Sequence, residues 1–235
     1  MGFIDTFLQY GLTRDTLLIV LAEIIAVVFA LVLHEIAHGL VALWNGDATA
    51  KLYGRLSLNP LRHFDIIGLV MMLLVGFGWA KPVPINPNNF KNRKVGAVTV
   101  SLAGIVTNLL LAFVCAIGVA GLEKVAVVTP QTALEYFVYF SYWFMLAMVS
   151  INISFALFNI LPLFPLDGYR LLSCFVNENN GFMRFMRRYS LYIMLGMIVL
   201  DYIPIVGAFS PFNLYIGTFG GIISNGFISL WRLVF

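Results

Sequence analysis

The sequence predicts an all-α polytopic membrane protein with about five transmembrane helices and a re-entrant, partly β region. Two observations carry this. Of the 235 residues, 61% are hydrophobic and 11% charged, against roughly 45–50% and 25% in a soluble domain. Apolar runs of about 20 residues, enough to cross the hydrocarbon, recur along the chain. The segments between them are too short and too apolar for a soluble domain. Residues 1–235 therefore read as one membrane domain, with a core at about 17–175 and accessory helices in 187–235.

The first apolar run is Leu17–Leu43, followed by Lys51, Arg55 and Arg62. Lysine and arginine collect on the cytoplasmic side of short loops, so this loop is expected inside. Ile66–Ala80 comes next. It is short, and Lys81, Lys91, Arg93 and Lys94 follow it, so both of its flanks are basic. It should enter and leave by one face, turning at Gly76 and Gly78 before Pro82, Pro84 and Pro87. Such backbone survives at membrane depth only where protein or a wet cavity satisfies it.

Val95–Leu122 leads outward, and the loop Leu122–Thr132, in which Glu123 and Lys124 cancel, can be external. Ala133–Leu161 returns inward to Arg170, Arg184, Arg187 and Arg188. Tyr189–Val206 and Pro211–Phe235 complete five spans, with Asp201 at an external turn and Arg232 inside. The net charge of +3 follows this topology and does not suggest nucleic acid. Cys115 and Cys174 give no disulfide framework, and the amino terminus lacks the basic region of a signal peptide. "MGFIDT" fits the loose myristoylation pattern, but the expected topology puts that end outside.

The chemistry concentrates in "FALVLHEIAHGLVAL", Phe29 to Leu43. H-E-x-x-H on a helix puts two imidazoles on one face, one turn apart, where both can grip a zinc ion. The intervening glutamate stands beside the metal-bound water as a general base. The bland reading is packed histidines, but it must account for His34, Glu35 and His38 within one turn of a membrane helix, where ionisable residues are functional candidates by default. His34 lies about 25 Å along its helix, in the cytoplasmic leaflet. Catalytic zinc usually takes three protein ligands and keeps one position for water. Glu23 is too far along the same helix, and Asp47 and Asp65 look interfacial. Asp167, in "NILPLFPLDGYR", ends a helix at the same depth and is favoured over the alternative, His63, which reads as a surface anchor.

"HEIAH", "GWAKPVPINP", "AGIVTN" and "NILPLFPLDG" together, in that order from about Leu31 to Leu172, resemble the signatures of the site-2 protease family of intramembrane zinc metalloproteases. The resemblance implies that His34, His38 and Asp167 hold zinc and that Glu35 activates the water. It also implies that Asn159 holds substrate backbone or the developing oxyanion, as a carboxamide donor can. Asn108 divides between substrate contact and core packing, and Ala103 and Gly104 allow close helix approach. Many relatives carry PDZ or CBS domains; this chain has neither, so it resembles the short members.

The expected function is hydrolysis of a peptide bond in or near the transmembrane segment of a membrane-protein substrate. The expected setting is the lipid bilayer of a bacterial (inner) cell membrane, with the site toward the cytoplasm. The "GWAKPVPINP" region could offer a strand edge to an unwound substrate. The rival is a metal-binding membrane protein without hydrolysis, a zinc transporter or an inactive scaffold. A transporter should line a path across both leaflets, whereas these ligands cluster in one.

Overall fold

A computed structural model describes residues 7, 11–75, 78–125, 130–203 and 210–235. The amino-terminal MGFIDT pattern, Gly76, residues 126–129 of the expected external loop and residues 204–206 of the fourth expected span lie outside them. In chain order the helices are α1 (Arg14–Trp44), α2 (Thr49–Leu52), α3 (Ile66–Val75), α4 (Arg93–Leu122), α5 (Ala133–Asn159), α6 (Asp167–Ser173), α7 (Gly181–Tyr202) and α8 (Pro211–Arg232). Among the described residues, α1, α4, α5 and α8 are long and apolar enough to cross a membrane.

Local chemistry sets the helix ends. Thr13 caps α1, its hydroxyl accepting from the Thr16 N–H at 3.2 Å. Thr132 and Glu135 cap α5 reciprocally, satisfying two amides that have no helical partner. α5 stops just ahead of Pro162, which has no N–H to donate and disfavours helix at the residue before it.

The bundle is built on small side chains. Ala22, Ala26 and Ala30, one turn apart on α1, are all 0% exposed, as are Ala112 and Ala116 on α4. In lipid there is little hydrophobic force between helices, so close backbone approach and dispersion must hold them together. Ala26 packs against Ala147 and Met148 of α5. Val149 and Ile153, on the same helix, pack with Ala112, Ala116 and Ile228 of α8.

Ile66–Ala80 leaves and returns at one place, as expected. Phe64 and Ala80 form an antiparallel bridge, and the Lys81 N–H donates to the His63 carbonyl at 2.8 Å. Gly68 sits so close to the returning chain that a Cβ there would fall 2.1 Å from the Trp79 carbonyl oxygen. The partly β character expected of this region reduces, among the described residues, to that single isolated bridge.

The topology of the last two helices differs from expectation. Arg232 donates through Nε and Nη2 to the two carboxylate oxygens of Glu123 at 2.8 and 2.6 Å, and the Lys124 ammonium reaches the Phe235 carbonyl. The end of α8 therefore lies beside the end of α4, not on the opposite side. At the other end, the Tyr215 hydroxyl donates to the Leu157 carbonyl at 3.2 Å and Phe212 stacks edge-on with Phe158. Hence α8 starts where α5 stops. α7 is tied to that same end. Its Ser190 hydroxyl accepts from the Phe164 N–H at 2.9 Å, and Asp201 pairs with Ser210 at the head of α8. α7, expected to supply a crossing at Tyr189–Val206, lies across this end instead. Arg184, Arg187 and Arg188 then mark a surface helix rather than the edge of a span.

Candidate metal centre

Two elements bring polar atoms to one point. α1 contributes His34 and His38, one turn apart, with ring centroids 4.7 Å apart and planes at 75°. α6 contributes Asp167 from its first residue. The two Nε2 atoms are 3.0 Å apart, and Asp167 Oδ2 is 3.2 Å from that of His34 and 3.1 Å from that of His38. The three residues are 7%, 4% and 4% exposed, so bulk water does not compete for these atoms.

The sequence makes this approach possible through two glycines. A Cβ on Gly104 would fall 2.3–2.6 Å from the His34 ring atoms, so α4 can face that imidazole only with glycine there. A Cβ on Gly168 would come 2.1 Å from the Ile160 carbonyl oxygen. Its absence lets the start of α6 tuck under the end of α5 and lift Asp167 to the histidines.

Helix α4 also orients the rings. His34 Nδ1–H donates to the Asn108 carboxamide oxygen at 2.9 Å, and His38 Nδ1–H donates to the Val100 carbonyl at 2.7 Å. Val100, Gly104 and Asn108 are spaced four apart, a single face of α4 laid against the His34–His38 face of α1. With both Nδ1 atoms acting as donors to carbonyl-type acceptors, each neutral ring turns an Nε2 lone pair inward. Two lone pairs and a carboxylate oxygen thus converge, and Asp167 Oδ2 has no hydrogen-bond donor. A cation satisfies such a set. The triangle they form puts each atom about 1.8 Å from its centre, within reach of the roughly 2.0–2.2 Å bonds zinc makes to nitrogen and oxygen. The residues present fit a metal ion, and the histidine acceptors are the kind of outer partners that fix ligand tautomers.

Glu35 stands half-buried beside this group. Its Oε2 accepts from the Val83 N–H at 2.9 Å, which ties it to the extended PVPINP loop. Asn159 is also half-buried at the end of α5, and its amide donates to the Phe155 carbonyl at 3.0 Å. His63 is no surface anchor: it is 0% exposed, and its Nε2–H donates to the Ser57 carbonyl at 2.8 Å. It stands outside the three-residue group. Asp65 accepts from the Gly68 N–H at 2.9 Å and caps α3. Asn108, undecided in sequence between substrate contact and packing, is a histidine partner. The spacing of Gly104 and Asn108 was the available signal.

Asp47 is not interfacial either. It is 0% exposed and accepts from the Asn86 N–H at 2.7 Å, the Asn89 amide at 2.8 Å, and the Thr49 N–H at 3.1 Å and its hydroxyl. Burial alone would raise its pKa, but these donors outweigh that and hold it below the ordinary aspartate value. Asp47 and Glu35 therefore pin one loop at Asn86 and Val83. Arg55, also buried, donates to the Lys81 carbonyl; burial pulls its pKa below the usual arginine range, against the field of Glu35.

Neither a family model nor a solved structure matches the chain. Among curated proteins, it is 41% identical over 173 residues to "Putative zinc metalloprotease YwhC" of Bacillus subtilis (strain 168), a match covering 72% of this chain and 73% of that one. The buried His34, His38 and Asp167 group is the kind of centre such a name requires, and by this identity the chain belongs to the family of that zinc metalloprotease.

Proposed function

We propose that this protein is a zinc-dependent intramembrane endopeptidase of the site-2 protease type. In this reading it hydrolyses a peptide bond in or near the transmembrane segment of a membrane protein. The observation that carries the reading is the convergence of His34, His38 and Asp167 next to Glu35, inside a bundle whose helices are long enough to span a bilayer. The polar turn lies near one end of α1, and the proposed orientation puts that end in the cytoplasmic leaflet of a cell membrane.

His34, His38 and Asp167 would hold zinc, which when bound polarises a carbonyl and lowers the pKa of water toward 7. The chain's own residues do the rest. The Val83 N–H fixes Glu35 Oε2, which leaves Oε1 to take a proton and return it to the leaving amine. Asn108 and the Val100 carbonyl keep the two Nε2 lone pairs aimed at one point. The Asn159 carboxamide would leave the Phe155 carbonyl to hold substrate backbone or the developing oxyanion. The scissile segment must unwind first, because a helical peptide hides its carbonyls in hydrogen bonds, and the extended 81–86 loop lies beside the base to receive it.

The test compares membrane proteomes of cells carrying the wild-type protein with cells carrying Glu35→Gln. A single-span protein should accumulate uncut in the variant. With that substrate purified, cleavage should drop by roughly 10²–10⁴-fold with zinc retained. Equal cleavage by Glu35→Gln would refute this metalloprotease mechanism, and membrane proteomes that do not differ would leave a metal-binding membrane protein without hydrolysis.

A further inference from the structure

Beside Glu35 the surface opens into a cleft of about 390 Å³, lined by Tyr53, Arg55, Lys81, Pro82 and Pro84. Its lining carries two cations and no carboxylate. Arg55 is 7% exposed, which is unusual for a group that stays charged at any physiological pH. One of its terminal nitrogens donates to the Lys81 carbonyl, while its buried Nε has no partner. The Glu35 carboxylate acts on this guanidinium through space, but the described hydrogen bonds of Arg55 reach only one neutral acceptor, so its fork still has donors to offer an anion. The prolines of the wall have no N–H to offer, so an anion there must be met by Arg55, Lys81 and the Tyr53 hydroxyl.

We propose that this cleft is a specificity site for a carboxylate side chain, Asp or Glu, on the polar stretch flanking the substrate's scissile segment. The proposal rests on the endopeptidase reading, because that reading makes the neighbouring 81–86 loop the place where substrate lies. The position supports it: Lys81 and Pro82 immediately precede Val83, whose N–H holds the proposed base. A side chain in the cleft is therefore one or two residues removed from the loop atom that touches Glu35. The pre-set guanidinium also limits the ordering cost of binding, since the Lys81 carbonyl already fixes its plane. The cleft discriminates in the other direction as well. Single-span proteins commonly carry lysine and arginine on their cytoplasmic flank, and two cations in the lining repel such tails. This supplies a means of choosing substrate within the membrane domain itself.

The experiment reads binding rather than cleavage. Two synthetic single-span peptides with the same apolar core carry a tail with either aspartates or asparagines, and each bears an uncharged fluorophore. Zinc-loaded full-length protein in phosphatidylcholine nanodiscs is titrated with each, and anisotropy gives the affinity ratio. The wild type should bind the aspartate peptide about 10-fold or more tightly, as charge-assisted hydrogen bonds imply. Arg55→Gln should bring the ratio close to one, and Lys81→Gln should lower it. Lys81 is exposed, so that variant decides the matter should Arg55→Gln fail to fold. Equal wild-type affinities, or an unchanged ratio in Lys81→Gln and in a folded Arg55→Gln, overturns the proposal. So does a wild-type ratio near one combined with loss of co-purifying phosphatidylglycerol in the arginine variant, which would make the cleft a lipid site. Selective binding with no cleavage of either peptide, or of an accumulating cellular substrate, would sink the endopeptidase reading and leave the carboxylate site standing.

Discussion

Two aspartates, Asp167 and Asp47, are both buried, at 4% and 0% exposure, yet they sit in opposite chemical surroundings. Asp47 is saturated: Asn86, Asn89 and Thr49 direct four donors at its two oxygens. Asp167 Oδ2 faces the Nε2 atoms of His34 and His38 and has no donor. Its other oxygen is 3.8 Å from the half-exposed guanidinium of Arg170. A buried charge must be compensated. Asp47 finds its compensation inside the chain and so works as a clamp on the 83–86 loop. Asp167 keeps an oxygen without a donor, at a place where an ion could supply that compensation. Burial alone does not separate a metal ligand from a structural carboxylate; the count of donors facing each oxygen does.

The sharpest way to break this comparison is to remove each aspartate in turn and weigh the metal. Purified wild-type protein should carry about one zinc per chain, as a site with three protein ligands implies. Asp167→Ala should lose nearly all of it, and Asp47→Ala should keep it. Zinc loss from Asp47→Ala with retention in Asp167→Ala would reverse the two roles.

A smaller effect is expected one shell out. Asn108→Ala removes the acceptor that fixes the His34 tautomer, and outer partners of this type are typically worth 10–100-fold in metal affinity or activity. Competition with a chromophoric chelator should read that loss, whereas Asn152→Ala should leave zinc affinity unchanged. Asn152 is equally buried, but its amide donates to the Met148 carbonyl of its own helix. Equal losses from both variants would mean that general packing, not tautomer control, accounts for Asn108.

The difference between the two aspartates also marks what a sequence reading can reach. His34, Glu35 and His38 were legible because three ionisable groups within one turn of an apolar run gain nothing from packing alone. Asp167 was legible by depth, once the helix before it was seen to stop at Pro162. Asp47 and His63 were misjudged as surface groups because their partners, Asn86 and Asn89 for one and Ser57 for the other, are set by loop closure rather than local pattern. The fold of the carboxy-terminal region failed for a related reason. Counting Arg232 and Arg187 as topology markers ignores whom they pair with. Arg232 reaches Glu123 at the end of α4, so it lies on the side opposite to the one expected of it. Arg187, paired with Glu178 at 2.6 Å and donating to the Tyr169 hydroxyl, stays at the end where α5 stops without marking a crossing.

The gentlest test addresses the clamp itself and is read in stability. Asp47→Asn keeps the shape of the side chain but turns one acceptor into an N–H₂ that must face the Asn86 or the Thr49 donors. Leaving buried donors unmatched costs about 1–3 kcal/mol, and denaturant unfolding in detergent should show a loss of that order. The pH dependence gives the sign. The native pKa of Asp47 lies below the ordinary aspartate value of 3.8, so its contribution is fully present above that value. It is lost as pH falls through the lower native pKa, because the unfolded chain takes up the proton first. The substituted carboxamide cannot titrate, so the acid limb below about pH 3.8 should be shallower in the variant than in the wild type. Zinc content at neutral pH should not change, since none of the three metal-facing residues touches this cluster. If the two acid limbs run parallel, Asp47 is not the charged clamp described above, and the 83–86 loop is held in place chiefly by Glu35 and its own prolines.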